Sequence, residues 1–262
     1  MRKNDLLRMA PNPKFIPGIY NYCDHWCERC PFTARCLSFT MEQEERTAEA
    51  RQPGDSRAFW KKLEDSLRRT QEWLDEVAKE QGVSLAPLEL KKISRQEERR
   101  RRATQQHPLA SAALQYSGML DDWFRSGERQ LREKEEEVLA QAKLGVAGVK
   151  EEVASLTDAV EILRWYQHQI HLKLMRGLDG DAEGKAAHDS PKDSDGSVKV
   201  ALLAMDRSIA AWMRMNDFFP SKTDSILGLL VHLDRLRRAT EKQFPNARRF
   251  VRPGFDTETA AR

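Results

Sequence analysis

Long apolar runs are missing from this chain. Nowhere do about 18 apolar residues follow one another, so no transmembrane helix is expected. The first residues, MRKNDLLRMAPNPKF, are basic but hold no apolar core before Pro11 and Pro13. No secretory leader is therefore expected, and the anticipated setting is the cytoplasm. An excess of one charge is also missing: 44 Lys and Arg stand against 41 Asp and Glu, a net +3. Overall charge thus draws the chain neither to nucleic acid nor to a membrane, and only local patches can do so. Period-2 alternation is absent, which removes the signal for strands. There is no Walker-type glycine loop, no G-x-S-x-G elbow and no dinucleotide fingerprint. No reaction class follows, and whether the chain is an enzyme is left open. Cysteine is scarce: four occur in 262 residues, and all lie between positions 23 and 36.

What is present is helical patterning. Of the residues, 40% are apolar and 32% charged, which suits amphipathic helices with a large solvated surface. Residues 37–51 read as a short helix ended by Pro53–Gly54. Asp55 or Ser56 then caps a helix to about Gln81, with Phe59, Trp60, Leu63, Leu67, Leu74 and Val77 at three- and four-residue steps. A charged helix follows Pro87. Residues 109–143 carry Leu109, Ala113, Tyr116, Leu120, Trp123, Phe124, Leu131, Val138 and Leu139, and the polar RSGERQLREKEEE is expected to kink or project. Residues 149–177 carry the clearest stripe: Val149, Val153, Leu156, Val160, Leu163, Ile170 and Leu174. Helix 198–216 follows, with Val200, Leu203, Ile209, Trp212 and Met213 as its apolar residues. The last helix opens near Ser221, where SKTD can form a capping box, and Pro245 ends it.

The expected fold is all-α: a bundle of five or six long helices with a small irregular N-terminal cysteine-rich metal-binding module. The expected organisation is a cysteine segment over 1–36, a bundle over 37–245 and an irregular basic tail over 246–262. An acidic, glycine-rich loop at about 178–197 is expected to be mobile inside the bundle.

Cys23, Cys27, Cys30 and Cys36 are spaced C-x3-C-x2-C-x5-C. Cytoplasmic thiols stay reduced, so a metal is a better reason for this clustering than disulfides. Thiolates select zinc or the iron of a sulfide cluster. Structural zinc sites usually pair two knuckles across a long spacer. Compact runs with a proline after a cysteine suit the wider iron–sulfur cubane, and Pro31 follows Cys30. A [4Fe-4S] cluster is therefore the expected cofactor, with Zn as the alternative. Trp26 and Phe32 are placed to shield such a centre.

The segment CERCPFTARC resembles the C-x2-C-x5-C run that ligates a [4Fe-4S] cluster in Cas4- and AddB-type nucleases. It also looks like the start of the auxiliary-cluster motif of SPASM-type radical enzymes. The resemblance covers residues 27–36 and implies Cys27, Cys30 and Cys36 as ligands, with Cys23 as the fourth. In those nucleases the fourth cysteine is remote, and their catalytic core needs a mixed sheet with an E-x-K strand. Glu89-Leu90-Lys91 lies in a helical pattern here, so nuclease activity is not carried over. Cys23, Cys27 and Cys30 alone match the radical S-adenosylmethionine spacing, but that chemistry belongs with a βα barrel, and no βα alternation exists. The whole chain resembles uncharacterised bacterial proteins with this cysteine segment, which implies no activity.

Two other constellations stand out. Glu161, His168 and His171 share one helix flank that His232 can face, a candidate second metal site; interhelical ion pairs and hydrogen bonds are the plainer reading. Arg99, Arg100, Arg101 and Arg102 form a candidate phosphate-binding run. Arg235, Arg237, Arg238, Lys242, Arg248, Arg249 and Arg252 add basic charge near the end of the chain. A protein partner is expected, nucleic acid is a second candidate, and a membrane is not.

Overall fold

The computed structural model describes residues 12–50, 56–82, 87–183 and 193–256. Among them every regular element is helical, with no strand. Seven α-helices occur among the described residues, rather than five or six: α1 Leu37–Ala50, α2 Ser56–Glu80, α3 Pro87–Gln105, α4 Pro108–Lys143, α5 Val149–Glu183, α6 Asp193–Phe218 and α7 Thr223–Gln243. Short 3₁₀ turns occupy Ile19–Tyr22, Cys27–Arg29, Thr33–Arg35, Pro220–Lys222 and Ala247–Arg249.

The chain divides into two compact units: residues 1–20 with 27–102, and residues 21–26 with 103–262. The division passes through the cysteine segment rather than after Cys36. Cys23 goes with the second unit, and Cys27, Cys30 and Cys36 go with the first.

In the first unit Phe15 and Ile19 are buried, and the Ile16 amide donates to the Arg35 carbonyl at 3.0 Å. Helix α1 starts directly after Cys36, because the Thr40 amide and hydroxyl both donate to the Cys36 carbonyl. In α2, Arg68 pairs with Asp65 and Glu72 on its own surface. The apolar side chains of α2 are a different matter: Leu63, Leu67, Trp73 and Leu74 are all exposed.

The second unit is a four-helix bundle. Helix α4 packs on α5, α5 on α6, α6 on α7, and α7 back on α4, so the ring closes around one core. Pairs along the helices fix the directions. Ala110 meets His171 while Ser117 meets Gln167. Gly177 faces Val198 while Tyr166 faces Arg207. His107 meets Gln243 while Ala112 meets His232. In each case one number rises as the other falls, so these neighbours are antiparallel.

Local sequence explains the ends. Pro108 sits at the first turn of α4, and His107 Nδ1 accepts from the Leu109 amide at 3.2 Å. Glu151 and Glu152 lie in the first turn of α5, where the helix dipole favours them. The core comes from Leu120, Leu163, Ile170, Leu174, Leu202, Met205, Trp212, Ile226 and Leu233, each fully buried. Trp123 meets Trp212 edge-on at 5.0 Å, and Trp212 Nε1 donates to the Tyr116 hydroxyl at 3.0 Å.

Several expectations need correcting. The expected loop at 178–197 is largely helix: α5 runs to Glu183 and α6 starts at Asp193. Ser194, Gly196 and Ser197 are buried, and residues 184–192 lie outside the described ones. The physical reason is close approach. A Cβ at Gly177 would overlap Val198, and one at Gly196 would overlap the Tyr22 ring, so glycine lets these backbones and rings meet. The SKTD capping box does not form. Lys222 stands at the cap with no side-chain bond, and the Thr223 and Ser225 hydroxyls donate to the Pro220 and Lys222 carbonyls instead. Helix α4 is unbroken through RSGERQLREKEEE. Met213 is exposed, whereas Met215 is buried.

The tail is irregular but fastened. Ala247 is fully buried, Arg248 pairs with Asp206 and Glu241, and Lys199 donates to the Phe250 carbonyl and pairs with Asp256 at 2.7 Å. Residues 257–262 lie outside the described ones.

Candidate metal centre

The four cysteines are half-buried thiols, and none is in a disulfide. Around Cys27, Cys30 and Cys36 the backbone is wound into two 3₁₀ turns. The Cys30 amide donates to the Cys27 carbonyl at 3.2 Å, and the Cys36 amide to the Thr33 carbonyl at 3.2 Å. Pro31 has no N–H to give. The next amide, that of Phe32, donates to Cys30 Sγ at 3.4 Å. An amide aimed at a sulfur offsets negative charge there, and such bonds tune thiolate-held metal centres.

The donor set suits zinc or an iron–sulfur centre, since both take soft thiolate ligands. The side chains are not gathered as a bound metal would gather them. Among the described residues, no three or more His, Cys, Asp or Glu side chains are placed to hold an ion.

Cys23 is flanked by anchors that sequence patterning did not reveal. Tyr22 donates to Asp193 at 2.9 Å, and its ring lies 4.7 Å from that of Phe250. Asp24 accepts from the Tyr166 hydroxyl at 2.6 Å and from Arg207 at 2.8 Å. Arg207 also donates to the Tyr166 hydroxyl. The Asp24 carbonyl accepts from Trp165 Nε1 at 3.0 Å. Trp26 stacks on Trp165 with ring centroids 5.0 Å apart. Between the two docked residues, His25 adopts a left-handed φ of 55°, a turn that His accepts more readily than most residues. So Trp26 packs on α5.

Electrostatics follow from this arrangement. Burial pushes the Asp24 carboxyl up, but hydrogen bonds from Tyr166 and the Trp26 amide, with the Arg207 charge, outweigh it. The group is held below the usual aspartate value. Burial first, and Asp24 second, push the Tyr166 hydroxyl up. Lys173 is buried on α5, and desolvation lowers its pKa against the nearby charges of Cys23, Asp24 and Asp193. A cation in this place offsets the charge that a thiolate ligand brings.

The candidate second metal site is not drawn together. Glu161 is exposed. His168 Nδ1 lies 3.0 Å from the Ser117 hydroxyl. His171 Nδ1 and His232 Nε2 lie 3.0 and 2.8 Å from the Ala110 and Ala112 carbonyls. A carbonyl only accepts, so both ring nitrogens carry the proton and donate. These histidines tie α5 and α7 to α4. Arg207 meets Asp24, and Arg164 lies 3.9 Å over the Phe124 ring and 3.8 Å from Asp121.

The basic runs are largely answered by acids. Arg100 pairs with Glu97 and Arg102 with Glu98, while Arg99 and Arg101 are exposed. Arg237 pairs with Asp206 and Asp234, Arg238 with Asp234, and Arg252 with Asp256. These arginines hold the bundle and tail, while Arg235, Lys242 and Arg249 are exposed. Among the described residues, no helix is long and apolar enough to cross a membrane. The chain matches no protein-family model, no curated protein and no solved structure.

Proposed function

We propose that the chain is a cytoplasmic metal-binding helical protein holding one [4Fe-4S] cluster through Cys23, Cys27, Cys30 and Cys36. The observation that carries this reading is the crowding of all four thiols into fourteen residues, none in a disulfide. The Phe32 amide on Cys30 Sγ supports it, as does the likeness of residues 27–36 to iron–sulfur segments. Bound, the cluster would supply one-electron chemistry or a rigid staple. Four protein thiolates leave no iron open to a substrate, so the role is structural, redox or sensing rather than Lewis-acid catalysis. Lys173 and the Phe32 amide would offset charge near the ligands, and the Asp24 clamp would hold the residues on either side of it.

Purification without oxygen tests this. The expected product is brown, with iron and acid-labile sulfide in equal amounts that vanish when the four cysteines are changed to serine. A colourless protein with one zinc per chain would make the segment a zinc-stapled interaction module. Metal retained after the four changes would point to Glu161, His168, His171 and His232. A partner protein remains part of the proposal, and nucleic acid belongs to it through Arg99 to Arg102. DNA retention that falls steeply with salt, and falls further on changing Arg99 and Arg101, tests the latter.

A further inference from the structure

Lys173 on α5 carries a charge into the second unit without a mate. It is only 6% exposed. Among the described residues its ammonium makes no hydrogen bond and no ion pair. A buried charge in that state is costly to a fold. The acids around it are engaged by others. Asp24 accepts from Tyr166 and Arg207, and Asp193 accepts from Tyr22 and Arg176.

The anchors of the cysteine segment say what lies opposite. Residues 21–26 belong to the same unit as α5. Arg176 donates to the Asn21 carbonyl at 3.2 Å. Trp165 and Tyr166 donate to the Asp24 carbonyl and carboxylate at 3.0 and 2.6 Å. The segment therefore runs back along α5, with Asn21 at position 176 and Asp24 at 165 and 166. Those two points are about 15 Å apart along the axis at 1.5 Å per residue, and position 173 falls between them. Positions 166 and 173 are seven apart, nearly two full turns, so they share a side of the helix. Lys173 thus faces the middle of the segment, which is Tyr22 and Cys23. The Tyr22 ring is turned to Phe250 and Gly196, which leaves Cys23. Electrostatics agree. Burial lowers the Lys173 pKa first of all, and among the negative groups opposing this Cys23 comes before Asp24 and Asp193. Arg176 is the neighbouring charge of like sign.

A metal-bound cysteine is a thiolate and keeps its negative charge at a fixed place. A cation beside it draws electron density toward the reduced state, because reduction of an iron–sulfur centre adds one more negative charge.

We propose that Lys173 is the built-in counter-charge of the metal-bound Cys23 thiolate and holds the reduction potential of the centre up, an assignment that rests on the iron–sulfur reading above. Without metal the ammonium has no such mate, so Lys173 costs the fold stability until the centre is loaded.

Two variants of the full chain test this. Lys173→Met keeps a long side chain and removes the charge, and Lys173→Arg keeps the charge. Both are purified without oxygen, assayed for iron and sulfide, and titrated with redox mediators while absorbance is followed. The Met variant should hold the wild-type content of iron and sulfide at a lower midpoint potential, and the Arg variant should stay near wild type. In metal-free chains the Met variant should melt at a higher temperature than wild type. Loss of the cluster from the Met variant but not from the Arg variant would also support the assignment, since charge rather than shape would then decide retention. Loss from both would overturn it. A fully loaded Met variant at the wild-type potential would overturn it while leaving the iron–sulfur reading in place. A metal-free Met variant that melts below wild type would do the same, by showing the ammonium already satisfied. A wild-type chain without iron and sulfide would overturn both.

Discussion

Helices α2 and α6 are nearly equal in length, 25 and 26 residues, and both are well patterned, yet they end in opposite surroundings. Helix α6 buries Val198, Val200, Leu202, Met205, Trp212 and Met215 around much of its circumference, held between α5 and α7. Helix α2 exposes Leu63, Leu67 and Leu74 along one narrow line. The breadth of the apolar face separates the two. A helix that is apolar on several sides must sit inside a core, whereas a single seam needs only one partner helix. Most helical stability comes from such packing rather than from propensity. Among the described residues, the fold therefore supplies the cover for α6, while Leu63, Leu67 and Leu74 of α2 stay exposed.

The largest effect that would sharpen this contrast is at Trp212. Trp212→Ala should cost the bundle about 3–5 kcal/mol in denaturant unfolding, because a fully buried indole and its bond to Tyr116 are lost together. Next comes Gly196→Ala, which drives a methyl into the Tyr22 ring and toward Phe250. Overpacking of this kind should cost roughly 1–3 kcal/mol, read as a lowered unfolding midpoint. A neutral outcome would mean that the start of α6 yields easily and is no true part of the core.

Asp24→Asn should cost about 1–3 kcal/mol, since Tyr166 and Arg207 lose a charged acceptor. The same group sets a pH dependence. Its folded pKa lies below the usual aspartate value. The stability it adds is whole above about pH 4, the ordinary range of the unfolded chain, and is lost as pH falls toward the folded pKa. Wild type should therefore lose stability in acid more steeply than the Asn variant, as thermal melts across that window will show. Tyr166 works in the other direction. Its raised pKa keeps its contribution intact until pH climbs past about 10, where unfolded tyrosine ionises first.

The smallest effect belongs to α2. Leu74→Ala, at an exposed side chain, should move the bundle's unfolding by no more than about 0.5 kcal/mol in the same denaturant measurement. A loss as large as that of Trp212→Ala would erase the distinction between the two helices.

Much of this was legible beforehand, and what was not has identifiable causes. The helices were read from three- and four-residue spacing, as at Leu156, Leu163, Ile170 and Leu174, all of which are buried. DSDGS reads as a loop because Asp, Ser and Gly favour turns. It is helical here because Gly177, Gly180 and Gly196 let α5, α6 and Tyr22 approach closely. The clamp on Asp24 had no signal at all: Arg207 lies 183 residues away, and a single pair at that separation leaves no period to detect. His171 and His232 resembled metal ligands because residue type alone does not say whether a ring nitrogen meets an ion or a backbone carbonyl.

Spacing alone settled most of the helical stretches, the stripe of Leu156, Leu163, Ile170 and Leu174, and that four thiols lie close along one short segment. These are local matters, fixed by the 3.6-residue turn and by the donor atoms a side chain carries. Tertiary packing decided the rest: that α4 to α7 close into a ring, that Arg248 of the tail pairs with Asp206 and Glu241, and that the neighbours of Cys23 are anchored on α5 and α6. Those outcomes depend on groups far apart in the chain meeting at a few ångströms, which only a folded backbone can arrange.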